Sequence, residues 1–91
     1  MMFQRFRNDS NGREVEAVKL TGDNAEELKQ MTDGYVVEEI DPFDSSKTNV
    51  GLNFATPMGM KRCSEGDYVI YAAGYFFTRQ ADDFEHIWQM T

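Results

Sequence analysis

Cysteine occurs once in these 91 residues, at Cys63, and histidine once, at His86. A lone thiol closes no intramolecular disulfide, and a secreted domain this small ordinarily carries several, so a reducing compartment is expected. Zinc fingers and ribbons are excluded too, because they need clusters of cysteine and histidine. No motif frames a nucleophile for the single imidazole. Long apolar runs are missing as well. The longest nearly uncharged stretch, residues 68–78, is far short of the roughly 20 residues that a membrane-crossing helix needs. No charged start leads into an apolar segment, so no secretory leader is expected. The absence of any basic cluster disfavours phosphate-tracking contact with nucleic acid. Cytoplasm is the expected location, with neither membrane nor nucleic acid as a direct partner.

What is present is acid. Hydrophobic residues make up 41% and charged residues 27%, the balance of a folded chain rather than a disordered one. A length of 91 residues suits one domain with one modest core. The net charge is −7, and residues 21–46 alone sum to −7. That segment holds Asp23, Glu26, Glu27, Asp33, Glu38, Glu39, Asp41 and Asp44 against Lys29.

Turn chemistry and periodicity order the elements. Residues 8–12 end in Asn-Gly and separate two extended runs, 2–7 and 13–20, which reads as a hairpin. The run 15–20 is apolar on both faces and suits a covered strand. A helix is predicted over 24–33, with Asp23 as its cap, Glu26 completing a capping box and Gly34 as the left-handed stop. Ala25, Leu28 and Met31 form its apolar stripe. A strand over 35–40 ends at Asp41-Pro42, since proline lacks the ladder donor. Residues 43–49 read as a flexible loop. Val50, Leu52 and Phe54 alternate with smaller or polar residues as a strand does, and 56–59 turn the chain into a partner strand over 60–63. A second turn at 65–67 leads to a hairpin of 68–71 and 75–78. A closing helix over 81–90 places Phe84, Ile87 and Trp88 on one face. The expected fold is α+β: a small antiparallel sheet built of hairpins, with two helices packed against it.

Three stretches carry a resemblance. They are Glu16-Ala17-Val18-Lys19-Leu20-Thr21-Gly22, then Thr56-Pro57-Met58-Gly59 running on to Gly66-Asp67-Tyr68-Val69-Ile70, then Gly74-Tyr75-Phe76-Phe77 followed by Phe84-Glu85. In this order they resemble a widespread group of small proteins encoded by tailed bacteriophages and prophages, from about residue 14 onward. The departures are the loop 8–12, Glu65 where relatives have proline, Tyr75 where they have glutamate, and Trp88 where they have tyrosine. The resemblance implies a source and a fold rather than a reaction.

Each chemical candidate has a plainer structural reading beside it. Asp82 and Asp83 lie one turn from His86, as an acid–base pair would, yet acids in a helix's first turn and a solvated histidine account for them. Asp41, Asp44, Ser45, Ser46 and Asn49 form an oxygen-rich loop without the spacing of a calcium-binding EF-hand. Asp67 after Gly66 reads as a turn residue, and Cys63 as a buried small hydrophobe. Met31, Met58, Met60, Phe43 and Trp88 are possible contact residues, with Trp88 better suited to the core. No pattern asks for a metal or a cofactor. The acidic segment is the strongest candidate, with Glu26, Glu27, Asp33, Glu38, Glu39, Asp41 and Asp44 as partner-binding residues. The expected function is that of a non-enzymatic accessory protein of phage origin. It would bind a host or phage protein, for instance a nucleic-acid-binding one, and modulate or inhibit it through an acidic surface, mimicry of DNA being one form of this. The alternatives are a minor virion or assembly component that oligomerises through an exposed strand edge at 2–7 or 50–56, and a small enzyme.

Overall fold

The computed structural model describes residues 2–91. The chain runs β1 (Gln4–Asn8), β2 (Glu14–Lys19), α1 (Ala25–Thr32), β3 (Tyr35–Ile40), β4 (Thr48–Thr56), β5 (Gly59–Ser64), β6 (Tyr68–Ala72), β7 (Tyr75–Arg79), α2 (Ala81–Ile87) and β8 (Trp88–Met90). The fold is α+β, as expected, but its strands form two antiparallel sheets rather than one. A five-stranded sheet has the order β7-β6-β2-β1-β8, and a three-stranded sheet has the order β3-β4-β5.

The two sheets share a core through β6. Val69 joins Leu20, Ala25, Leu28, Leu52, Phe54 and Cys63, so one face of the larger sheet is sealed by α1 and the smaller sheet. Tyr68 and Ile70 point the other way and join Phe6, Ala17 and Phe84 of α2. Three successive buried residues are what a strand covered on both faces requires, because side chains alternate across it. Phe84 stacks on Tyr68 with ring centroids 4.3 Å apart and meets Phe6 edge-on at 5.0 Å.

The ends of the elements depart from expectation in three places. Asp23 caps nothing. The turn before α1 is held instead by Asn24, whose Oδ1 accepts from the Thr21 N–H and whose Nδ2 donates to the Lys19 carbonyl. The left-handed residue that ends α1 is Asp33, with φ of 57°, a conformation that Asp tolerates better than most residues. Gly34 is needed for closeness: a Cβ there would collide with the Asn53 carbonyl oxygen of β4. The closing helix stops at Ile87, and Trp88–Met90 becomes β8, paired with β1 from Phe6↔Met90 to Asn8↔Trp88. An open edge on β1 accepts the chain there, and Trp88 still stacks on Phe84.

The start of α2 is capped from a distance. Asp67 Oδ1 accepts from the Ala81 N–H at 2.9 Å, across a sequence separation of 14 residues. A carboxylate at this position satisfies one orphan donor and lies at the positive end of the helix dipole. Asp67→Ala is expected to cost about 1 kcal/mol in urea denaturation, and Asp67→Asn, which keeps an acceptor, clearly less. Equal stability of Asp67→Ala and the parent chain would remove this role.

Candidate functional site

The seven acidic candidates lie on successive features: α1 and its end, β3, and the turn beyond β3. Six residues of β3 separate Asp33 from Asp41, which is roughly 20 Å of extended chain. Exposed charges that far apart are screened from each other at physiological salt, where the Debye length is about 8 Å. The α1 group and the group beyond β3 are therefore separate features. In the first group, Glu26 reaches Lys29 at 3.8 Å, an exposed pair that contributes little. Glu27 and Asp33 are exposed beside it.

Within β3 the period of two sends neighbouring acids to opposite faces. Glu38 opposes Val50 on the face that carries Val36 and Leu52. Glu39 lies on the other face, where its Oε2 is 3.7 Å from Arg62 Nη1. Arg62 also donates from Nε to Asn53 Oδ1 at 2.8 Å. Glu39 thus has a partner within the fold, whereas Glu38 is exposed.

Beyond β3 the expected loop forms a hydrogen-bonded knuckle. Asp41 Oδ1 accepts from the N–H groups of Phe43 at 2.8 Å and Asp44 at 3.1 Å, and Asp41 Oδ2 accepts from Asn49 Nδ2. Asp44 Oδ1 accepts from the Ser46 hydroxyl at 2.6 Å and the Ser46 N–H at 3.0 Å. These bonds hold both carboxyls below their usual range, chiefly the Phe43 N–H for Asp41 and the Ser46 hydroxyl for Asp44. Both acids brace the loop and keep their charge while doing so.

The knuckle holds Phe43 out at 97% exposure, beside Ile40 at 71%. An open groove runs next to them, lined by Glu39, Asp41, Pro42, Phe43, Asn49 and Glu65. Glu65 arrives here through the pairing of β4 with β5, and its Oε1 accepts from the Val50 N–H at 3.0 Å. Nothing in the local sequence around Glu65 marks it, since only the strand register brings it across. Ile40 was readable as the end of a strand but not as an exposed side chain.

The other chemical candidates are dispersed. His86, Asp82 and Asp83 are exposed on α2, and among the described residues no three metal-ligating side chains gather. Cys63 is buried, and burial pushes its thiol up to about 11, with Asp67 and Glu39 adding to the effect. Tyr68 is likewise raised to about 12 by burial and by its hydrogen bond to Glu85, whose Oε2 accepts at 2.7 Å. Glu85 in turn is lowered by the Tyr68 hydroxyl and by Lys19, 3.3 Å away. The strand edges proposed for self-assembly are both occupied: β1 lies between β2 and β8, and β4 lies between β3 and β5. Compared with protein-family models, curated proteins and solved structures, the chain matches none.

The two raised groups set an alkaline limit. A pKa above its unfolded value means that the protonated form is favoured by folding. Their contribution to stability is therefore complete below pH 9 and lost as pH climbs through about 11 and about 12. Urea midpoints are expected to fall across that window, and Cys63 in the native protein to resist a disulfide reagent at neutral pH while reacting promptly in urea. Rapid native reaction would contradict the buried, protonated thiol.

Proposed function

We propose that this chain is a non-catalytic accessory protein that docks on a basic partner protein through the knuckle and the end of β3. The observation that carries this reading is Phe43, a large apolar side chain held almost wholly in water on a loop where Asp41 accepts from the Phe43 N–H and Asp44 accepts from Ser46. Burying one such ring on docking supplies roughly 1.5–3 kcal/mol, and a loop already braced by hydrogen bonds has less entropy to lose in doing so. Rim carboxylates add mainly association rate and discrimination. Glu38, Glu39, Asp41, Asp44 and Glu65 therefore select a positively charged surface, while Phe43 and Ile40 supply the grip. Glu26, Glu27 and Asp33 form a separate negative feature at the other end of β3.

The phage-like motifs of the sequence favour a host or phage protein of the bacterial cytoplasm as the target, and a nucleic-acid-binding protein carries the right charge. Mimicry of DNA needs a continuous row of carboxylates. Here Glu38 and Glu39 leave opposite faces of β3, so the acids make no such row, and a basic protein surface suits them better.

The test is affinity capture from the infected bacterium, identification by mass spectrometry, and titration of the purified partner. Phe43→Ala is expected to weaken binding at least tenfold, about 1.4 kcal/mol, without lowering the melting temperature. Reversing Glu38 to Lys, or raising salt, is expected to slow association more than it speeds release. A partner whose affinity ignored Phe43→Ala, Glu38→Lys and salt alike would overturn the proposal.

A further inference from the structure

The free edge of β3 has a backbone pattern that bears on how a partner is held. The smaller sheet ends at β3, and no strand among the described residues pairs with its outer side. The bond from the Asp41 N–H to the Lys47 carbonyl fixes which residues of β3 turn their backbone toward β4. In the β3–β4 register the hydrogen-bonded pairs are then Tyr35↔Asn53, Val37↔Gly51 and Glu39↔Asn49. The bond from the Glu65 N–H to the Val50 carbonyl agrees, since it turns the alternate residues of β4 toward β5. Val36, Glu38 and Ile40 therefore present their N–H and C=O groups outward, as an unfilled ladder.

Native edges of this kind are commonly guarded by charge against association with copies of themselves. Here the charge is of one sign. An antiparallel pairing of β3 with β3 of a second copy, centred on Glu38 or on Glu39, sets like carboxylates directly opposite each other, which is destabilising. It also brings together two chains of net charge −7. The same carboxylates attract an extended segment of opposite sign.

We propose that the outer edge of β3 is a strand-addition site for an extended basic segment of the partner protein. This rests on the docking reading above and specifies its mode. Main-chain bonds to Val36, Glu38 and Ile40 give affinity, and side-chain pairs give selectivity. Glu38 and Glu39 face opposite sides of the sheet, so the added strand carries two adjacent cationic residues, one for each face. Glu39 already has Arg62 at 3.7 Å, which makes Glu38 the stronger selector. Val36, Val37 and Ile40 call for β-branched neighbours on either side of the cationic pair. Beyond Ile40 the segment continues past Phe43 and the acidic groove.

The probe is a short synthetic peptide with Lys-Arg between β-branched residues, titrated into the isotopically labelled full chain. Three companions are used: a peptide of the same composition in scrambled order, one N-methylated at the residue that faces Glu38, and one with both cations replaced by Glu. The expected result is binding by the first peptide, an affinity loss of about tenfold or more on N-methylation, and slowed amide exchange at Val36, Glu38 and Ile40. If scrambled and N-methylated peptides bind as well as the first, and the Glu peptide does not bind, strand addition is overturned while the acidic docking reading survives. Absence of binding by every cationic peptide counts against both. A concentration-dependent dimer that protects the same three amides without peptide assigns the edge to a second copy and overturns the proposal.

Discussion

Burial of β6 on both faces is the constraint from which the rest of the molecule follows. Tyr68, Val69 and Ile70 are consecutive, so their side chains must leave in alternating directions, and each direction meets its own apolar cluster. Its backbone is enclosed as well, because β6 lies between β2 and β7 in the larger sheet. The smaller sheet and α1 are then required to cover Val69, and α2 to cover Tyr68 and Ile70. Charged groups take part only at the margins, where Lys19 and Glu85 close over the Tyr68 hydroxyl.

This arrangement accounts for the position of the proposed docking surface. The molecule is elongated, 42 Å by 27 Å by 25 Å. In the smaller sheet the core-facing residues are Val36, Val50, Leu52, Phe54 and Cys63. Beyond Val36, β3 runs past the shared core. Glu38, Ile40 and the 41–47 knuckle thus extend from a scaffold that is anchored elsewhere. A surface that projects from a rigid body can be open, charged and apolar in places without weakening the fold that carries it.

Much of the chain was readable where local chemistry decides. The hairpin turns, α1 and the alternating run of Val50, Leu52 and Phe54 all follow from periodicity and turn residues. What was not readable depended on pairing between distant segments. One sheet was expected because hairpins specify only their own two strands. The β2–β6 pairing and the separate β3-β4-β5 sheet are long-range facts. The helical spacing of Phe84, Ile87 and Trp88 concealed β8, since three residues that end a helix and three that pair with β1 look alike until β1 is seen to have a free edge. The acidic stretch was visible as a count of charges. Its division was not, because a strand period places Glu38 and Glu39 on opposite faces and two of the aspartates are spent partly on turns. Glu65 and Arg62 belong to the same neighbourhood through register alone.

Native-state hydrogen exchange, followed residue by residue in the free protein, reads the doubly buried strand and the open edge together. The amides of Val69 and Ile70 are expected to exchange only through global unfolding. Along β3 alternation is expected, with Val37 and Glu39 protected and Val36, Glu38 and Ile40 exchanging quickly. Rapid exchange in β6, or uniform protection along β3, would contradict this arrangement.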